Sequence, residues 1–279
     1  MKLSVLVPVY SKESPRFLRA SLYSLATQTR PADEVVIIED GPLGAELDTA
    51  IACFRETLPI VAVRLPANSG LGTALQAGVR MCRGEYVARM DSDDVCVAHR
   101  LEEQLAFLER EPEVDVLGAA IAEFEEDVST PHSIRRMPEE GEALLRLAKF
   151  RNPLNHMTVM FRRASVLGAG NFQPCAGFED YHLWARMLTL GYRLHNLSEV
   201  LVFARCGNGM QGRRGGIAYL QQEIKTQLLL HRMGLLDARE CIRNIMLRAP
   251  VRLAPRRVRS MFYSIFLRER CVSVQRTLG

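Results

Sequence analysis

The chain of 279 residues contains no Cys-x-x-Cys pair, and its seven cysteines (Cys53, Cys82, Cys96, Cys175, Cys206, Cys241 and Cys271) are odd in number and scattered. That pattern excludes a cysteine-built zinc site and a disulfide framework. Reduced thiols in a cytosolic protein are expected instead. No uninterrupted apolar run approaches the roughly 18 residues that a membrane span needs. The N-terminus passes at once into a strand-like run and lacks the basic segment, apolar segment and cleavage site of a signal peptide. There is no internal repeat and no low-complexity tract, and tryptophan is confined to Trp184. Lysine is missing from Arg243 to Gly279, where nine arginines face a single acid, Glu269. That tail therefore carries +8, and the rest of the chain, with 27 basic and 31 acidic residues, carries −4. An acidic body with one basic end is not a general nucleic-acid binder, and it points to a surface interaction confined to that end.

What is present is the composition of a globular protein, with 48% hydrophobic and 24% charged residues. Apolar runs at 3–9, 34–38, 60–65, 86–90 and 114–121 read as strands, and the Val-rich first of them as a buried parallel strand. Between them, 17–25, 45–54, 71–81 and 97–108 carry apolar residues at helical spacing. Such alternation predicts an α/β fold with a mostly parallel sheet and right-handed crossovers. Past about residue 130 the alternation weakens. A helix over 139–150, an exposed or edge strand over 156–163, an amphipathic helix over 179–190 and two short strands near 192–195 and 200–204 are expected. A Gly/Arg-rich loop at 205–216 precedes a helical C-terminal region.

In parallel sheets, ligands gather beyond the carboxyl ends of the strands. Three polar clusters fall at those ends: 10–13, Glu39-Asp40-Gly41, and Asp91-Ser92-Asp93-Asp94. The last places three carboxylates within four residues. Taken alone it is either a turn, since Asp and Ser favour turns, or a site where a divalent cation bears phosphate oxygens.

The ordered set resolves more than any single piece. Val7-Pro8-Val9-Tyr10, Glu39-Asp40-Gly41, Asn68-Ser69-Gly70-Leu71-Gly72, Asp91-Ser92-Asp93-Asp94 and Phe178-Glu179-Asp180-Tyr181 followed by Leu183-Trp184 come in that order. Over roughly residues 1–216 the chain resembles family 2 glycosyltransferases of the GT-A (Rossmann-like) fold, in particular bacterial exopolysaccharide and lipopolysaccharide enzymes. The resemblance implies a nucleotide-sugar half at 1–125, an acceptor half at 126–216, and a helical basic extension at 217–279.

By the same match, Asp40 accepts the N3–H of a uracil-type base, Pro8, Val9 and Tyr10 pack along that base, and Glu39 stands where many relatives carry Asp. Asn68 and Gly70 open a helix N-terminus toward an anion. Asp91-Ser92-Asp93 resembles the family's DxD motif: Asp91 meets the ribose or the metal, Asp93 is the principal ligand of Mn²⁺ or Mg²⁺, and Asp94 orients them or pairs with Arg89 or Arg100. Asp180, at a helix start where the dipole favours negative charge, is the expected general base for an inverting transfer. An acidic pair at a helix start is also an ordinary capping feature. Arg213 and Arg214 are candidates to clamp the diphosphate, and His156 is either structural or part of the site. Processive relatives carry Gln-x-x-Arg-Trp. Gln211-Gly212-Arg213-Arg214 lacks the Trp, so a single sugar is expected to be added, from a UDP sugar to a glycan or lipid-linked acceptor.

Residues 248–270 alternate arginine with apolar residues, with Pro250 and Pro255 confining a regular helix mostly to 256 onward. That suits an anionic membrane face at the inner leaflet, or packing on the domain or a second subunit. Two other functions compete. A non-catalytic nucleotide-sugar-binding protein has no need of the acidic triplet with Asp180. A sugar nucleotidyltransferase calls for a Gly-rich basic loop after strand one, and 10–15 lacks glycine.

Overall fold

In the computed structural model, residues 1–175, 177–206, 215–254 and 269–270 are described. Arg213, Arg214 and most of the chain after 254 lie outside them. The first half alternates β1 (Leu3–Val9), α1 (Pro15–Ala26), β2 (Glu34–Glu39), α2 (Ala45–Ala52), β3 (Ile60–Arg64), α3 (Leu71–Met81) and β4 (Tyr86–Arg89). These strands lie in the order β3-β2-β1-β4, all parallel. Every residue of β1 is buried, because helices cover both faces of the sheet. The period-2 pleat sends Leu3, Val5, Val7 and Val9 toward Leu18 and Leu22 of α1 and Leu47 of α2. It sends Leu6, Val36 and Ile38 toward Leu75 and Val79 of α3.

The second half runs β5 (Val95–Cys96), α4 (Arg100–Arg110), β6 (Val114–Phe124), β7 (Ser133–Arg135), α5 (Gly141–Phe150), a 3₁₀ turn (His156–Thr158), β8 (Met160–Arg162), α6 (Arg163–Gly168), α7 (Glu179–Thr189) and β9 (Arg193–Arg205). Here the sheet departs from the expected pattern. β8 is not an edge strand. It sits antiparallel between β4 and β6, with Met160 and Phe161 fully buried. Thr158, one of the polar residues that suggested a solvent face, belongs to the 3₁₀ turn and is buried, and the turn is tied to β6. Thr158 Oγ1 accepts the Ala119 N–H at 2.8 Å, and Asn155 Nδ2 donates to the Ala119 carbonyl at 2.9 Å. The two strands expected near 192–195 and 200–204 are one strand, β9, paired with β6 along its length. The register slips between Leu197↔Ala119 and Val200↔Ala120, a bulge that reads as a break in the sequence.

The antiparallel insertion of β8 has a consequence for the site. Ala88 near the carboxyl end of β4 pairs with Met160 at the start of β8. The turn that precedes β8 is thereby held beside the acidic triplet that follows β4.

The helical extension comprises α8 (Ile217–Arg232) and α9 (Ala238–Leu253), followed by the two-residue strand β10 (Glu269–Arg270), which pairs antiparallel with β7. Asp237 and Glu240 form a reciprocal capping box at the start of α9. Arg248 and Arg252, expected on a membrane face, instead turn inward. Arg248 Nη1 donates to Glu223 Oε1 at 2.6 Å, and Arg252 Nη2 donates to the same oxygen at 3.0 Å. Burial alone pushes the Glu223 carboxyl up, but the hydrogen bonds and charges of Arg252 and Arg248 outweigh it and hold the group below its usual value. Pro250 lies inside α9 rather than ending it. Proline cannot donate to the carbonyl four residues back. That residue is Met246, on the exposed side of the helix. No helix among the described residues is long and apolar enough to cross a membrane, and Cys53, Cys82, Cys96, Cys175 and Cys241 are free thiols.

Candidate active site

Because β4, β1 and β2 are neighbours, their carboxyl ends are adjacent, and the three polar clusters converge. Asp40 is buried at the end of β2. Its Oδ1 accepts the Ser69 N–H at 2.7 Å and its Oδ2 the Gly70 N–H at 3.0 Å. Motifs read as separate in the sequence, 39–41 and 68–72, are therefore one structure. Gly41 joins them at φ +84°, where a Cβ would stand 2.7 Å from the Asn68 nitrogen. Only glycine fits there. An ionised carboxylate offers about four acceptor positions, so Asp40 has lone pairs left after holding the loop. Gly70 then starts α3 at φ +85°.

The other expected donor-side residues are placed unequally. Tyr10 is half-exposed at the end of β1, whereas Val9 belongs to the core and Pro8 is buried. Glu39 is nearly fully buried and accepts from Arg64 Nε of β3 at 2.6 Å, and Arg64 also reaches Asp48. The structure thus uses Glu39 in an ion pair between strands. Ser92 is buried and donates to Glu13 Oε2 at 2.6 Å, which brings a fourth acid to the triplet.

Within the triplet the three carboxylates have distinct surroundings. Asp91 is gripped by both terminal nitrogens of Arg89, one at 3.0 Å. Residues two apart on a strand share a face, and the almost fully buried Arg89 needs such a partner. An arginine at the end of a buried apolar strand was the available signal for this pair. Asp94 pairs with neither Arg89 nor Arg100. Its Oδ1 accepts the Arg205 N–H at 2.8 Å, and its buried Oδ2 has no hydrogen-bond partner. Arg100 is instead spent on the Arg89 carbonyl and Gln104. Arg205 also donates to the Asp93 carbonyl and lies over the Phe17 ring, locking β9 against the triplet.

Burial, then the charges of Asp91 and Glu13, push the Asp93 carboxyl up to about 7. Burial, then the charges of Asp91 and Asp93, raise Asp94 as well. One oxygen from each of Asp91, Asp93 and Asp94 falls within 4.8 Å of the others. A crowded set of hard oxygen donors with one buried, unpartnered oxygen fits a divalent cation such as Mg²⁺ or Mn²⁺. Among the three, Asp93 carries no charge-compensating side-chain bond comparable to Arg89 on Asp91.

Asp180 sits in the first turn of α7. Its Oδ1 accepts the Tyr181 N–H at 2.7 Å, and its Oδ2 accepts Asn152 Nδ2 at 2.6 Å. Asn152 escaped sequence reading, because an asparagine before a proline reads as turn chemistry. Between the two halves stands His156. Its Nε2 lies 3.6 Å from Asp91 Oδ2 and its Nδ1 3.5 Å from Asp180 Oδ2. One imidazole therefore spans the two carboxylates. All three side chains keep partial access to solvent, at 26% for His156, 22% for Asp91 and 16% for Asp180.

The family model described as glycosyl transferase family 2 matches residues 4–168. The amylovoran biosynthesis glycosyltransferase AmsE of Erwinia amylovora is 39% identical over 93% of this chain and 97% of its own length. The UDP-Gal:alpha-D-GlcNAc-diphosphoundecaprenol beta-1,3-galactosyltransferase of Escherichia coli is 36% identical over 96% of this chain and 97% of its own. Among solved structures, Staphylococcus aureus TarS 1–349 in complex with UDP-GlcNAc superposes with a TM-score of 0.68 at 23% identity, covering 86% of this chain and 69% of that one. The mannosyltransferase PcManGT of Pyrobaculum calidifontis, in complex with GDP-Man and Mn²⁺, gives 0.63 at 19% identity, covering 94% of this chain and 79% of its own. These likenesses establish the GT-A fold expected from the motifs. The length of the family match and the identity to full-length relatives settle the remaining question: this chain belongs to glycosyl transferase family 2.

Proposed function

We propose that this glycosyltransferase moves one sugar, with inversion, from a UDP sugar to a lipid-linked glycan acceptor in bacterial surface polysaccharide synthesis. The observation that carries the reading is His156 bridging Asp91 and Asp180, which gathers a donor-side and an acceptor-side carboxylate around one ring. The donor half is 1–125 and the acceptor half 126–216. Asp40, oriented by the Ser69 and Gly70 N–H groups, accepts the N3–H of the base, and the half-exposed Tyr10 ring lies along it. Asn68 and Gly70 turn the start of α3 toward the diphosphate, and Arg213 and Arg214, outside the described residues, are assigned to clamp it by charge.

Asp93 and Asp91 hold Mn²⁺ or Mg²⁺. When bound, that ion supplies Lewis-acid neutralisation of charge on the departing diphosphate. Asp180 takes the proton from the acceptor hydroxyl as its oxygen attacks the anomeric carbon opposite the leaving group. Asn152 and the Tyr181 N–H hold the carboxylate in place for that transfer, and His156 fixes its distance from the donor side. The E. coli relative, whose name specifies UDP-Gal and a diphosphoundecaprenol acceptor, supports both the uridine donor and a lipid-linked acceptor.

The donor reading is tested by thermal unfolding with a panel of nucleotide sugars in the presence of Mn²⁺. Ligand at a hundredfold excess over its Kd stabilises by about 2.7 kcal/mol. A UDP sugar is expected to raise Tm by several degrees only with the metal present, and GDP sugars are expected to do nothing. Equal stabilisation by both bases removes the role given to Asp40.

A further inference from the structure

We infer that the outward face of α9 is a docking surface for an anionic lipid bilayer. The helix is amphipathic in the reverse of the usual sense. Its inward side carries Asn244, Arg248 and Arg252, which donate to the Lys149 carbonyl, Gln227 and Glu223. Its outward side carries aliphatic residues: Ile242, Met246, Leu247 and Leu253 are 59%, 69%, 55% and 56% exposed. At 100° per residue, Arg239, Ile242, Arg243, Met246, Leu247, Pro250 and Leu253 fall on one continuous arc, and all seven are exposed. That arc contains two arginines, five apolar residues, no acid and no uncharged polar residue.

A folded domain loses stability by leaving such a stripe in water, and contiguous exposed apolar surface marks an interaction site. Charge decides the occupant. A second copy docking face to face presents the same patch, which brings arginines and no acid to meet them. Residues 255–279 carry six arginines and one acid, so they share the sign of the patch. Anionic lipid headgroups complement Arg239 and Arg243, and the hydrocarbon boundary accepts the aliphatic side chains without directional hydrogen bonds. Pro250, which interrupts the helix only on this side, is tolerated at an interface that asks for no backbone donor. The surface thus begins at Arg239, nine residues before the stretch that sequence alternation marks, and excludes Arg248 and Arg252. It deepens the lipid-linked acceptor reading by placing the enzyme beside its lipid, and its test reads vesicles rather than transfer.

The full-length protein is sedimented with vesicles of phosphatidylcholine alone and of phosphatidylcholine with about one-third phosphatidylglycerol. Binding to the anionic vesicles is expected, and release at high salt. The double variant Met246→Ser/Leu247→Ser should lower partitioning by about tenfold or more. Arg239→Gln/Arg243→Gln should do likewise on anionic vesicles only. All four positions are exposed, so both variants should keep wild-type Tm and donor-induced stabilisation. Hydroxyl-radical oxidation of Met246 should be fast in the monomer and suppressed by anionic vesicles. The inference is overturned by a wild type that ignores both vesicles, or by variants that bind as it does. It is overturned equally by a Met246 already protected in the monomer, which assigns the face to the chain's own tail, or by a dimer that the serine variant dissociates. If vesicle binding follows the pattern while no nucleotide sugar stabilises the protein, the donor reading fails and this one stands.

Discussion

Asp180→Asn is expected to lower kcat by about a thousandfold, within the range that a positioned general base contributes, while donor Kd stays within about twofold. The split follows from geometry. Asp180 and Asp91 stand on opposite ring nitrogens of His156, Asp180 at 3.5 Å and Asp91 at 3.6 Å, so the proposed base is separated from the carboxylate given to the donor. Asparagine preserves size and keeps one acceptor for the Tyr181 N–H or for Asn152, but not for both, since one oxygen becomes an NH₂ group. Loss of one such hydrogen bond costs about 1 kcal/mol of stability, which leaves the fold intact. Measured by isothermal titration and steady-state transfer, the variant should therefore be a competent donor binder that does not turn over. Near-normal turnover removes Asp180 from proton transfer. Loss of donor binding moves it to the donor side instead.

Asp93→Asn should separate stability from activity in the opposite direction. Three carboxylates with oxygens within 4.8 Å of one another, and Glu13 close by, repel in the metal-free protein. Removing one of those charges relieves that repulsion. Metal-free Asp93→Asn is therefore expected to unfold at the same temperature as wild type or higher. The same change should abolish Mn²⁺-dependent donor stabilisation and reduce kcat/KM by about a hundredfold or more, equivalent to roughly 2.7 kcal/mol of lost transition-state stabilisation. Such a trade of stability for activity is common where like charges are held together for function. A variant that is less stable without metal, yet retains the Mn²⁺ response, would place the ion elsewhere.

The first half of the molecule was legible because its signals are local. The run at 71–81 is α3 residue for residue, and β2 and β4 end within a residue of their expected limits. Parallel strands buried on both faces leave short unbroken apolar runs, and their alternation with helical spacing marks them as strands. The site was legible as an ordered set of motifs, yet its wiring was not. That Asp40 holds Ser69 and Gly70, or that Arg89 grips Asp91 rather than Asp94, depends on which strand ends adjoin. His156 stayed ambiguous because its position follows from β8 being antiparallel between β4 and β6, and sequence periodicity does not encode strand order. Short elements such as β5, β7 and α6 offered too few residues for any period to appear. At α9 the arginine pattern misled for a related reason: the partner of Arg248 and Arg252 is Glu223, more than twenty residues earlier on another helix.

One measurement bears most directly on the account as a whole: the anomeric configuration of the product made by the wild-type enzyme from an α-linked nucleotide sugar. A single displacement with Asp180 as base and no covalent intermediate gives the β-linked product, read from the anomeric proton coupling by NMR. An α-linked product would contradict the account, because it requires a second displacement or a front-side path in which Asp180 has no proton to take opposite the leaving group.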